Sequence, residues 1–178
     1  MLLSYVFISE GSFFMKNTKI IIACAMLAAI SFVIGWICKT YMTFGAIRIT
    51  FENIPIILSG IVFGPVYGGL VGAVADILSC VGSGYSINPI ITIGSVLVGT
   101  VAGLFSNCVL KKGTMQMFLS VMFAHIVGSM IVKSLGLYIM GYGFGIIVYR
   151  VPLYLCIAIV EFYIIYVLLK NKAIQNEI

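Results

Sequence analysis

Seven ionisable side chains fall inside or at the ends of apolar runs: Arg48, Glu52, Asp76, His125, Lys133, Arg150 and Glu161. A charge at membrane depth is costly, so each such residue is a functional hypothesis whose partner must be named. Five of them, Arg48, Glu52, Asp76, Lys133 and Arg150, fall toward one membrane face. Three cations with two carboxylates suit a cavity for a small polar solute with an anionic part. Asp76 or Glu52 could accept paired N–H donors from the edge of a ring. Arg48, Lys133 or Arg150 could hold an anionic end, arginine through its planar fork and lysine as a point charge. Tyr85 and Tyr138 are candidates for stacking on the ring, and Asn88 for a supporting hydrogen bond. The plainer reading of the same residues is two neutralising ion pairs, a snorkelling Arg150 and interfacial tyrosines. His125 and Glu161 fall at similar depth in the opposite half of two adjacent helices. An interhelical hydrogen bond is expected there, with a proton relay as the alternative.

Other chemistry finds no footing. No Gly-x-x-x-x-Gly-Lys-Ser/Thr sequence occurs, so ATP hydrolysis by that route is excluded. Gly-x-Ser-x-Gly is absent. One histidine with no second ligand at useful spacing argues against a metalloprotease. Cys24, Cys38, Cys80, Cys108 and Cys156 lie too far apart in sequence for a zinc or thioredoxin motif and read as small apolar filler. No metal site, cofactor or catalytic residue is expected.

The elements that must position these residues follow from composition. The 178-residue chain is 62% apolar and only 8% charged, with a mean hydropathy of +1.22. So few charges cannot cover the surface of a soluble domain, which excludes a soluble enzyme and a disordered chain. The net charge of +5 then reads as membrane orientation, with no nucleic-acid partner. Apolar runs cover Ile20 to Cys38, Ile49 to Phe63, Val66 to Val81, Pro89 to Leu110, Thr114 to Met140 and Gly145 to Leu169. Gly64-Pro65 separates the second and third, because proline cannot continue the hydrogen-bond ladder. The expected fold is an all-α membrane protein with six transmembrane helices in one bundle. Lys16, Lys19, Lys111, Lys112, Lys170 and Lys172 then share the inner side, against Lys39 and Arg48 outside. This bias predicts that both termini are cytoplasmic. Residues 1–15 are expected to be an upstream extension or a disordered N-terminus, and residues 16–178 a single membrane domain.

Small residues recur at helix-packing spacing. Gly60, Gly64, Gly68 and Gly72 stand four apart, as do Ala25 and Ala29. Such positions let backbones approach closely. Ala25 and Ala29 fit internal packing or a groove for a partner helix. Gly82-Ser83-Gly84-Tyr85-Ser86-Ile87-Asn88-Pro89 has turn chemistry and reads as a connector or lid beside Asp76.

In combination these segments resemble the substrate-binding S component of energy-coupling factor (ECF) vitamin transporters, folate family. The segments are Ile47-Arg48-Ile49-Thr50-Phe51-Glu52-Asn53-Ile54-Pro55, Gly60 through Gly69 with Phe63-Gly64-Pro65, and Gly72-Ala73-Val74-Ala75-Asp76. The stretch from His125 through Ser129 and Lys133 to Tyr138, then Arg150-Val151-Pro152, also fits. The likeness covers roughly residues 16 to 170. It implies a six-helix, non-enzymatic subunit of the cell (plasma) membrane that binds a vitamin from outside. It also implies a transmembrane coupling subunit that contacts Ala25 and Ala29, and two ATPase subunits that hydrolyse ATP. The folate group carries Tyr-Phe-Pro-Gly-Phe-Thr after the third helix, whereas here Tyr85 to Thr92 matches readily only at its ends. Folate or a related pterin is therefore the leading ligand, with another water-soluble vitamin such as pantothenate as the alternative. A stand-alone secondary transporter is a further alternative, but no internal repeat supports it.

Overall fold

The computed structural model describes residues 2–44, 47–108 and 113–170, and the side chains of 18–43, 49–106, 113–145 and 147–170. Lys111, Lys112 and Lys172, half of the expected inner charge, lie outside the described residues, as do the side chains of Lys16 and Arg48.

Helix α1 is Leu2–Tyr41, and its stretch long and apolar enough to cross a membrane is Thr18–Tyr41. Strands β1 (Thr43–Phe44) and β2 (Ile47–Arg48) pair antiparallel, Thr43 opposite Arg48. Then come α2 (Asn53–Phe63), α3 (Pro65–Gly82) and α4 (Pro89–Cys108). Next, α5 (Thr114–Ala124), a π-helical stretch (His125–Val132) and α6 (Lys133–Ile139) run on as one rod, Thr114–Ile139. The last helix, α7, is Phe144–Lys170. Five of these rods are long and apolar enough to span, whereas α2 has only 11 residues.

The second helix starts four residues after its apolar run begins. Pro55 is the reason. Deep inside a helix its ring would collide with the carbonyl of Phe51, and it has no N–H to give. In the first turn neither matters, so the helix begins at Asn53, with Glu52 just before it. The break at Gly64-Pro65 occurs as expected. Gly64 adopts φ 100°, a conformation that favours glycine, and Pro65 opens α3 at a position where no N–H is required.

Glycine sets how closely α2 and α3 approach α4. A methyl group added at Gly60 or Gly68 would run into the carbonyl of Gly99, and one at Gly72 into that of Ser95. A methyl at Gly103 would strike Pro65, and one at Gly94 the stem of Lys133. The four-residue glycine spacing is thus a packing face against α4, with Gly64 the exception because it serves the turn. The core between the helices is built from Ile56, Ile57, Val71, Val98, Ala102, Val121, Ala124, Ala158 and Ile165, all buried. Lipid tails are as apolar as these side chains, so van der Waals contact has to hold the bundle. Replacing Gly99 with leucine should abolish the monodisperse folded protein in detergent. Gly145, where an added methyl would meet no atom within 4 Å, should tolerate the same change. Size-exclusion profiles and thermal unfolding of the two variants check this.

Candidate functional site

At one end of the bundle a cavity of about 830 Å³, its open mouth included, lies among α1, α3, α4, α6 and α7. Its polar lining includes Lys39, Asp76, Asn88, Lys133 and Arg150, with Tyr85 and Tyr142 at the mouth, and Ile91, Leu137 and Met140 supply apolar surface. The mixture of an apolar wall with a few polar groups is that of a small-molecule pocket.

The charged residues enter from different helices and are nearly all buried. Asp76, two-thirds of the way along α3, accepts a hydrogen bond at Oδ2 from the Thr92 hydroxyl of α4 at 2.8 Å. Its Oδ1 lies 3.9 Å from the ammonium of Lys39 and has no hydrogen-bond partner. Lys39 donates to the Ser79 hydroxyl at 2.5 Å and to the Cys80 sulfur at 3.3 Å. Glu52 stands 3.8 Å from Lys133 Nζ and abuts α1 at Gly35. Both ion pairs are withdrawn from solvent, where a lost partner leaves an uncompensated charge.

Arg150 differs. It is buried, its guanidinium lies over the ring of Tyr154 with Cζ 4.8 Å from the centroid, and its Nε has no hydrogen-bond partner. No carboxylate is paired with it among the described residues. Two residues further on, Pro152 removes one bond from the α7 ladder.

Of the residues expected to bind a substrate, Asp76, Tyr85, Asn88, Lys133 and Arg150 line this cavity. Glu52 lies behind Lys133, as its ion-pair partner. Tyr138 is half exposed on α6 and outside the lining, while Tyr142 lies inside it. The side chain of Arg48 lies outside the described residues, though its backbone belongs to β2, and Thr43 of β1 reaches the cavity wall. Asn88 has a second job. Its Oδ1 accepts the amide of Ile90 at 2.9 Å and so caps α4, with Pro89 in the first helical position.

Lys39, Thr92 and Tyr142 escape reasoning from the sequence. Lys39 reads as the cation that closes the first apolar run. The signal that would place it is the buried stripe of Ala28, Ser31, Gly35 and Cys38, whose helical spacing leads directly to it.

Deeper in the bundle, Nε2 of His125 and Oε2 of Glu161 lie 2.7 Å apart, both fully buried. The expected interhelical bond between the rod 114–139 and α7 is present. Among the described residues no group of three potential metal ligands gathers.

Residues 19–175 match the family model described as the ECF transporter, substrate-specific component. The chain belongs to that family. It is therefore a membrane-embedded substrate-binding component of a transporter, as its sequence segments suggested. Among solved structures its fold is similar to that of the crystal structure of FolT bound with folic acid. The TM-score is 0.68 and the identity 24%, over 85% of this chain and 92% of that one. No curated protein sequence matches the chain. On α1 of this S component, Ala28 packs inward, while Ala25 and Ala29 are exposed beside Met26 and Ile30.

Proposed function

We propose that this S component captures folate or a related pterin from outside the cell and delivers it through an ECF coupling subunit driven by two ATPase subunits. The observation that carries the ligand reading is the buried Arg150. With Lys39 set against Asp76 and Lys133 against Glu52, Arg150 is the described cavity cation without a carboxylate. A folate tail presents carboxylates, which arginine grips bidentately. Asp76 offers an acceptor to the ring's N–H and amino donors, with Tyr85 and Tyr142 beside it as stacking surfaces. The similar fold of a protein crystallised with folic acid supports this reading. The departure of the run Tyr85 to Thr92 from the folate pattern favours a second reading, a different water-soluble vitamin with an anionic group, such as pantothenate. Titrating the purified protein with folate, 5-formyltetrahydrofolate, pantothenate and bare pterin separates the two. Arg150→Ala should cost folate about 2–5 kcal/mol, or about 30- to several-thousand-fold in affinity. The bare pterin should lose little. Unchanged folate binding would assign Arg150 to the fold.

The topology we infer has six crossings in the plasma membrane, with both termini cytoplasmic and the cavity facing out. Helix α2 alone covers about 16 Å of a hydrocarbon core of about 30 Å. Residues 49–52 before it extend its path, and Thr50 and Glu52 are buried. Irregular backbone is tolerated at membrane depth where protein covers it. A reporter fused after Ile178 should be active only in the cytoplasm, and activity outside the cell would contradict the topology.

Docking to the coupling subunit is assigned to the exposed face of α1 around Ala25 and Ala29. Tryptophan at either position should leave vitamin binding intact and abolish uptake. Normal vitamin-dependent growth of both variants would place the docking surface elsewhere.

A further inference from the structure

We propose that Lys39 and Thr92 are positioning residues that make Asp76 the reader of the ligand's donor edge. The inference rests on the pterin reading above and adds to it which carboxylate selects the ring and what holds that carboxylate in place.

The three residues come from three helices. Thr92 of α4 reaches across to Asp76 of α3 and fixes Oδ2 through a 2.8 Å hydrogen bond. Lys39, at the end of α1, is itself anchored by Ser79 and Cys80, one turn beyond Asp76. Its ammonium stops 3.9 Å from Oδ1, close enough to balance the charge and too far to occupy the oxygen with a hydrogen bond. Oδ1 therefore stays an unoccupied acceptor on a carboxylate that lines the cavity. Asp76 and Lys39 are each only 3% exposed, so neither is a solvated surface charge. Glu52, the other carboxylate candidate, does not line the cavity.

A ring edge carrying an N–H beside an amino group matches this arrangement. One donor meets Oδ1, and the second meets the remaining lone pair of Oδ2. Rotation of the carboxylate would destroy the match, and the Thr92 hydroxyl opposes that rotation. Lys39 keeps the ionised carboxylate compensated while the site is empty. Selection between a ligand with the amino donor and one without it should then depend on residues that never touch the ligand's anionic end.

The test is titration of folic acid and its 2-deamino analogue against wild type, Lys39→Met, Lys39→Arg and Thr92→Val. Wild type should prefer folic acid by about 10- to 100-fold, as expected for a hydrogen bond to a charged acceptor. Lys39→Met and Thr92→Val should weaken folic acid more than the analogue and bring the ratio toward one. Lys39→Arg should restore most of the preference. Equal weakening of both ligands, with the ratio kept, would overturn the inference and make the two residues structural. Should Lys39→Met fail to fold, Thr92→Val, which keeps the side-chain shape, reads the same ratio. Wild type that binds both ligands equally overturns this inference alone. Wild type that binds neither overturns the pterin reading as well.

Discussion

Charge inside a bilayer has no water to fall back on. Moving one ion from water into a protein interior costs several kcal/mol even after relaxation, so a bundle can carry a buried charge only with its compensation built in. Here the compensation comes in pairs that cross between helices, Lys39 with Asp76 and Lys133 with Glu52, while His125 and Glu161 share an interhelical hydrogen bond. Each pair ties elements distant in sequence, and the two nearest the cavity fix its walls. Arg150 breaks the pattern. Its described compensation is the face of Tyr154, which for a desolvated cation is worth about 2 kcal/mol or somewhat more. That is a weak substitute for a carboxylate.

These pairs can form only because the backbones come close. Gly60, Gly68 and Gly72 let α2 and α3 lie against Gly99 and Ser95 of α4. That contact places Asp76 within reach of Thr92. Gly94 clears the path for the stem of Lys133. The π-helical stretch between His125 and Lys133 plays a related part. His125, Ser129 and Lys133 stand four residues apart along it and are all buried, so one rod serves both the inner pair and the cavity. π-Helical turns are rare and concentrate where function demands an unusual side-chain register.

Much of this is legible in the sequence because charge is conspicuous in an apolar chain. Asp76, Lys133, Arg150 and the His125–Glu161 pair stand out by type and depth alone. What stays hidden depends on direction. Lys39 sits where a helix-ending lysine normally meets water, and only the helix's buried stripe turns it inward. Tyr138 and Tyr142 are equivalent by composition. Gly141, at φ 90°, reverses the chain after α6, and the Tyr142 amide bonds back to the Leu137 carbonyl at 3.2 Å. That turn brings Tyr142 to the cavity and leaves Tyr138 on the outside of α6. The start of α2 falls inside its apolar run because such a run marks burial, whereas Pro55 decides where helical hydrogen bonding can begin.

The small molecule that stays with the protein through purification speaks most directly to the central claim, that a buried carboxylate and a buried arginine recognise the two ends of one vitamin. Mass spectrometry of the denatured, purified protein should release a folate: a pterin ring joined to a carboxylate-bearing tail. A tightly held ligand that lacks either the donor-bearing ring or the anionic end would contradict it.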